Sequence, residues 1–365
     1  MADVARQTEI DIGPSRTSLR TVAEQAGVSP ATVSKALNNA PDVSPRTRER
    51  VRAVARALGY EPSLAAQTMR SRRSRTIGIV TERPLAYQWV AETVSGILDV
   101  AAEAGMASLV LLTDRSTNRT AECVAELRRR QVEGLLFVGA GAAPSIRPHL
   151  ACWDVPHVYT FCQPEDLDAP AVLIDDAQGA ALAVRHLVSG GRRRFGLLCG
   201  PSASGTALVR AAAARVALEA AGMPVDGSHE RSGPWTEEFG WRGMNELLAS
   251  DPSIDAVIAA NDFIALGALH ALQQAGRRVP DDVAVVGFDN HLVSSLARPR
   301  LTTIAVPTYE CGRQACRLLF DGALARGAGA SNRPVEMHKA HHVVRLPCTL
   351  VVRESSTAAQ ATPAP

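Results

Sequence analysis

SLRTVAEQAGVSPATVSKALNNAPDVSPRTRERVRAVARALGYEPSLAAQTMRSRRSRT, residues 18–76, sets the reading of the whole chain. Ser18 can cap a helix whose inward positions Leu19, Val22, Ala23 and Ala26 follow i, i+3, i+4, i+7 spacing. Gly27 supplies the backbone freedom needed at a helix end, and Val28 plugs the corner. Ser29 caps a second helix, with Pro30 in the first turn, where a missing N–H costs nothing. Val33, Ala36 and Leu37 face inward, which leaves Ala31, Thr32, Ser34, Lys35 and Asn38 outside. A third helix starts at Ser44–Pro45, buries Val51, Val54, Ala55 and Leu58, and stops at Gly59. Helix, tight turn, helix, third helix and basic tail is the order of a helix-turn-helix module. In such a module the outward face of the second helix lies in the major groove, its N-terminal part nearest the base edges.

Charge supports that reading. The net charge of +2 hides an asymmetry: residues 16–75 hold twelve basic side chains against four acidic ones, a net of +8, so the rest of the chain is acidic. A basic head on a mildly acidic body is the footprint of a phosphate-binding module attached to something else. Side-chain chemistry then assigns roles. Lys35 can donate to guanine O6 and N7, and Ala31 or the Thr32 methyl can meet a thymine methyl. Arg20, Ser34 and Asn38 suit phosphates, which position a module without reading sequence. Arg46, Arg48, Arg50 and Arg52, toward the start of the third helix, read as a solvated or phosphate-facing surface.

Other classes find little support. No apolar run reaches the roughly eighteen residues of a membrane span, and the first residues lack the apolar stretch of a secretory signal. The seven cysteines are scattered and never in a CxxC pair, which suits reduced thiols and a cytoplasmic protein better than a disulfide framework or a zinc site. Gly139-Ala140-Gly141-Ala142-Ala143-Pro144 only half imitates a dinucleotide loop, and no P-loop, GxSxG or HExxH occurs. His338, His341 and His342, on what reads as a terminal strand, look like surface rather than a metal site. No enzyme activity, cofactor or metal is expected.

From residue 76 short apolar strands alternate with amphipathic helices. Strands are expected at Ile77–Val80, Ser108–Leu112, Gly134–Val138, Val158–Tyr159, Ala171–Ile174, Phe195–Leu198, Ala256–Ile258 and Val283–Val286. Helices fall between them at Trp89–Ala104, Ala177–Ser189, Leu208–Ala221, Phe239–Ala249 and Ile264–Ala275. The alternation predicts α/β architecture with two parallel sheets, and ligands in such sheets bind beyond the carboxyl ends of strands. The expected division is an N-terminal extension without fold at 1–17, a helix-turn-helix domain at 18–62, a hinge helix or linker at 63–75, a two-lobed effector-binding and dimerisation domain at 76–354, and a disordered tail at 355–365.

The chain resembles the lactose-repressor (LacI-type) family of bacterial transcription regulators over nearly all of residues 18–354. The residues that carry the likeness are Val22-Ala23, Ala26-Gly27-Val28-Ser29, Thr32-Val33-Ser34, Asn38, Val43-Ser44, Thr47-Arg48, Leu58-Gly59-Tyr60 and Pro62 in the head. In the body they are Gly190-Gly191-Arg192, Asn261 to Gly267, Val279 to Val283, Val286-Gly287-Phe288-Asp289 and Pro299 to Ile304. The resemblance implies an all-α helix-turn-helix head and a periplasmic-binding-protein-like core whose chain crosses between lobes near 160–176, 300–306 and 335. It implies a homodimer on an inverted-repeat operator in double-stranded DNA, a small-molecule effector, by family a carbohydrate, and no membrane partner. DNA contacts carry over onto Arg20, Ser29, Pro30, Ala31, Thr32, Ser34, Lys35, Asn38, Ser44 and Thr47, and onto Gln67, Met69 and Arg70 in the hinge. There Met69 stands where the family usually has a leucine wedge. Effector contacts carry over onto Arg210, Asn261 and Asp289, with Phe161 and Trp235 as walls and Glu82, Tyr87 and Trp89 as weaker candidates.

Chemistry supports the pocket set, because Arg and Asp fork onto vicinal hydroxyls and aromatic faces stack on sugars. Bland readings stand beside it: strand-end capping for Asn261 and Asp289, core packing for Trp235. The pattern departs from the family after the pocket arginine, where Ala211-Ala212-Ala213-Ala214 replaces a glycine-plus-aromatic pair. The alternative function is a co-repressor-dependent regulator with a non-sugar ligand. A periplasmic binding protein leaves the head unexplained, and an architectural DNA binder leaves the core idle.

Overall fold

Three serines start the first three helices. The protein is described here from a computed structural model over residues 17–61, 73–113, 117–143, 147–150, 153–164, 169–327 and 343–357. Ser18, Ser29 and Ser44 accept the backbone N–H groups of Thr21, Thr32 and Thr47 at 3.2, 3.1 and 3.2 Å, and so begin α1 (Leu19–Ala26), α2 (Pro30–Leu37) and α3 (Pro45–Ala57). Pro30 and Pro45 occupy first-turn positions, where no N–H is wanted. Gly27 closes α1 at φ +62°, a conformation open to glycine without a Cβ penalty. The three helices enclose Val22, Ala23, Ala26, Val33, Ala36, Val43, Val51 and Ala55. Arg48 departs from expectation. Its guanidinium donates to Ala40 O at 2.9 Å and Val43 O at 3.1 Å, so it ties down the loop between α2 and α3 instead of facing phosphate.

The chain divides into two compact units, residues 1–74 and 75–365. The second unit holds two six-stranded sheets. The first is built from β1 (Thr76–Thr81), β2 (Ala107–Leu112), β3 (Leu135–Ala143), β4 (His157–Pro164), β5 (Ala171–Ile174) and β11 (Val343–Leu346), in the order β11-β5-β4-β3-β1-β2 with every pairing parallel. The second contains β6 (Phe195–Cys199), β7 (Glu230–Ser232), β8 (Ala256–Ala259), β9 (Ala284–Asp289), β10 (Thr302–Ala305) and β12 (Thr349–Val351), in the order β12-β10-β9-β8-β6-β7. There β12 alone is antiparallel, to β10.

Helices α4 (Gln88–Glu103), α5 (Thr117–Arg129), α6 (Arg147–Leu150) and α12 (Thr308–Gly327) belong with the first sheet. Helices α7 (Asp176–Ser189), α8 (Gly205–Ala220), α9 (Glu237–Ser250), α10 (Asp262–Gln274) and α11 (Leu292–Leu296) belong with the second. The chain passes between the lobes at 174–176, 305–308 and 346–349. The third passage corrects the expectation near 335, because Val343–Leu346 pairs with Ala171–Ile174 and keeps the chain in the first lobe until Leu346.

The end of the chain also differs from expectation. Ser355 is fully buried: its hydroxyl donates to Val285 O at 2.6 Å and accepts the Thr302 N–H at 2.8 Å. Ser356 bonds His186 and Thr302. Residues 355–357 are therefore part of the second lobe, while 358–365, like 1–16, lie outside the described residues. Gly139–Ala143 continue β3 alongside β4, which removes the half-formed dinucleotide loop. His338, His341 and His342 lie outside the described residues. Among the described residues no helix is long and apolar enough to cross a membrane, and no cluster could hold a metal ion.

Candidate functional site

In the head, α2 buries Val33 and Ala36 and turns Ala31, Lys35 and Asn38 outward, with Ser29 and Pro30 exposed at its start and Thr32 and Ser34 half-buried. Several of these side chains also serve the fold. The Ser29 and Thr32 hydroxyls bond each other at 2.8 Å, Ser44 donates to Thr47 at 2.9 Å, and Asn38 donates to Ser34 O at 2.7 Å at the end of α2. Arg20 lies 3.4 Å from Glu24. Lys35 pairs with Asp42 at 2.5 Å, and this bond holds the Asp42 carboxyl below its ordinary range. Both partners are about half exposed, so the pair is easily exchanged for a phosphate or a base edge. Gln67, Met69 and Arg70 lie outside the described residues.

In the second unit, polar side chains gather at the carboxyl ends of strands. Arg210, on α8, is buried: Nε donates to Asp176 Oδ1 at 2.7 Å, and Nη1 donates to Ala260 O at 2.7 Å and to Asp289 Oδ1 at 3.0 Å. Its Cζ lies 3.6 Å from the centroid of the Phe288 ring. Burial works against its charge, but Asp176 and Asp289 hold the guanidinium above its ordinary value. Asp289 ends β9 at φ +102°, followed by Asn290 at φ +53°. Asn261, after β8, caps α10 by accepting the Ile264 N–H at 2.8 Å. The capping reading therefore holds for its Oδ1. Beside it Asp262 accepts from the Thr303 hydroxyl and the His291 N–H, each at 2.6 Å, and burial pushes its carboxyl well up.

The structure thus brings Arg210 and Asp289 into one bonded cluster and places Asn261 next to the carbonyl that Arg210 binds. The two aromatic residues expected as walls are each held by their own lobe. Phe161 takes φ +60° in β4, with its ring centroid 5.3 Å from that of Trp89. Trp235 lies against the Gly200 backbone, half-buried on the second-lobe core. Glu82 is buried and Tyr87 exposed. Sequence reasoning passed over Asp176, Phe288 and Asp262. The one available signal was the pair Asp175-Asp176 at a helix start: Asp175 is the cap, accepting the Gln178 N–H at 2.9 Å, which leaves Asp176 for another task.

Comparison with known proteins settles the family. Residues 18–63 match bacterial regulatory proteins of the lacI family, and residues 184–356 match the periplasmic binding protein-like domain. The HTH-type transcriptional regulator CelR of Thermobifida fusca is 35% identical over 347 residues, covering 93% of this chain and 98% of its own. This chain belongs to the LacI family. A second LacI-family relative, the HTH-type transcriptional repressor CytR of Escherichia coli K12, is 32% identical over 93% of this chain and 96% of its own. Among solved structures, the lac repressor dimer bound to operator and the anti-inducer ONPF matches with a TM-score of 0.79 at 30% identity, over 94% of this chain and all of that one. The CelR–cellobiose complex matches at 0.66 and 33% identity, over 93% and 100%. The protein is therefore a DNA-binding transcriptional regulator of the LacI family and not an enzyme.

Proposed function

We propose that this regulator is a cytoplasmic, dimeric repressor that binds an inverted-repeat operator and responds to a carbohydrate in the cleft of its core. The observation that carries the reading is the joint presence of two prepared surfaces in one chain. One is the outward face of α2, with Ala31, Lys35 and Asn38; the other is the bonded Arg210–Asp289 pair at strand ends. The aromatic rings of Phe161 and Trp235 suit sugar faces, and a CelR relative has been solved with cellobiose. A dimer is supported by apolar surface on the second lobe. Leu292 and Leu296 are 62% and 64% exposed, and a surface pocket of about 320 Å³ is lined by Leu266, Leu269, Val293, Leu296 and Ala297 together with His270, Gln273 and Arg298. In an inverted repeat read by a dimer, half-sites lie about one helical turn, roughly 34 Å, apart.

Selection of bound sequences from a random duplex pool by the full-length protein, at stated salt, tests the reading. An enriched inverted repeat is the expected result, and release of that duplex by one member of a neutral sugar panel identifies induction. Enrichment only after metabolites are added favours the co-repressor form, and no enrichment at all refutes a sequence-specific repressor. On the selected operator, Lys35→Ala should weaken binding about 10- to 100-fold, a loss of one base-reading contact, while non-specific affinity falls far less.

A further inference from the structure

The guanidinium of Arg210 is committed on three sides. The Phe288 ring lies under it, Asp176 holds Nε, and Ala260 O with Asp289 holds Nη1. Nη2 has no hydrogen-bond partner among the described residues, so it is the donor left for a ligand. The two carboxylates differ in access: the Asp176 side chain is 13% exposed, that of Asp289 36%. Asp289 is thus the more accessible of the two and has an oxygen to spare, while Asp176 is the more buried. Further back, burial pushes the Asp262 carboxyl up, and the Arg353 guanidinium donates to Asn290 Oδ1 and Leu301 O, each at 2.8 Å, and to Ser294 Oγ at 3.1 Å. Counting only Arg210 and the two carboxylates bonded to it, one cation stands against two anions, −1 in all; burial pushes the Asp176 carboxyl up, and the guanidinium beside it works the other way.

We propose that Asp176 is a positioning residue that fixes the charge selectivity of this cleft. It holds the guanidinium plane and spends its positive charge, so that the site takes an uncharged vicinal diol and rejects phosphorylated or carboxylated sugars. The proposal rests on the reading of the cleft as the effector site. One hydroxyl accepts from Arg210 Nη2 while its neighbour donates to Asp289, and this pairing needs no net charge on the ligand. An arginine with a single carboxylate partner would offer an anion a neutral pair in place of a net negative group. A third oxygen anion brought among Asp176 and Asp289 meets like charges in a poorly solvated site.

The test is calorimetric titration of the full-length protein with matched neutral and anionic sugars: glucose, glucose 6-phosphate and glucuronate, and cellobiose with cellobionate. Wild type should bind a neutral member and its anionic counterpart at least about 100-fold more weakly, the size expected for one uncompensated charge in a partly buried site. Asp176→Asn keeps an oxygen to accept from Arg210 Nε but removes the charge. It should hold the neutral sugar within about tenfold and narrow the gap between neutral and anionic members by about tenfold or more. Asp176→Glu, which keeps the charge, should preserve the gap even where affinity drops, and Asp176→Ser replaces the amide variant if that one does not fold. A merely structural role would lower both affinities together and leave their ratio alone. Equal binding of neutral and anionic members by wild type, or an unchanged ratio in the uncharged variants, overturns the assignment. Binding of no sugar of either kind overturns it together with the carbohydrate reading of the cleft, while operator selection stands on its own result.

Discussion

Asp262 is 1% exposed, yet it holds together the loop that carries Asp289. Its two oxygens accept from the Thr303 hydroxyl and the His291 N–H, and Thr303 in turn accepts the Asn290 N–H at 3.2 Å. Two successive residues at positive φ, Asp289 and Asn290, are strained for side chains with a Cβ, so the loop needs this anchorage. Asp262→Asn leaves one acceptor where two are used, and should cost about 1–3 kcal/mol by urea unfolding. Burial raises the folded-state pKa of Asp262 above its unfolded value, so its contribution is full below the ordinary carboxylate range and is lost as pH rises through the folded value. The difference between wild type and Asp262→Asn should therefore shrink as pH rises. A difference that grows with pH would mean that Asp262 is held as a carboxylate. At this scale the sequence was legible only where chemistry and family pattern coincide, as at Arg210, Asn261 and Asp289. Asp176 and Asp262 were hidden because each follows a capping residue, and a second polar residue at a helix start reads as first-turn charge until the fold shows what it faces.

Each lobe packs one pair of helices through reciprocal glycines. In the first, a Cβ on Gly96 of α4 would fall on Tyr309 O of α12, and one on Gly312 would fall on Thr93 O. In the second, a Cβ on Gly240 of α9 would fall on Ile264 O of α10, and one on Gly267 on Glu237 O. Backbone is the obstacle in all four cases, so no side chain can swing aside. Alanine at any of them should cost about 1–3 kcal/mol in urea unfolding, the usual range for overpacking. Gly240→Ala with Gly267→Ala should cost less than their sum, because the first already forces the helices apart. Gly205→Ala, with open space at its Cβ, is the neutral control. The helices of these pairs were readable from periodicity except α12, whose start follows directly on a lobe crossing and carries no polar–apolar stripe clean enough to separate it. The strands with apolar runs of four or more were legible as well. The three-residue β7 and β12 were not, nor was β10, where Thr302-Thr303 interrupt the apolar run although both side chains are buried.

Across the whole second unit, three crossings join the lobes, and one line of hydrogen bonds runs from the first lobe to the loop that carries Asp289. The Leu292 N–H, in the second lobe and three residues beyond Asp289, donates to Gln88 Oε1 of α4 in the first lobe at 2.9 Å. Gln88 Nε2 donates to Glu92 at 2.7 Å, and Glu92 accepts the hydroxyl of Thr308, just past the second crossing. Thr93 donates to Thr308 O at 3.2 Å from the same helix. A rotation of one lobe on the other must break or lengthen the Gln88–Leu292 bond, so lobe orientation and the placement of Asp289 are linked energetically. Gln88→Leu keeps the bulk and removes the acceptor. Since Leu292 is exposed, its N–H can turn to water, and the change in melting should correspond to less than about 1 kcal/mol. The lobe equilibrium should respond more. Fluorescence transfer between labels on the two lobes, placed on introduced exposed cysteines because the six described native ones are buried, should report a wider separation than in wild type. The ratio of operator affinities with and without effector should fall by about three- to tenfold, since coupling in such proteins amounts to about 1–3 kcal/mol in all. Unchanged lobe separation and unchanged coupling would show that the signal travels through the crossings themselves, and that the Gln88 bond only follows it.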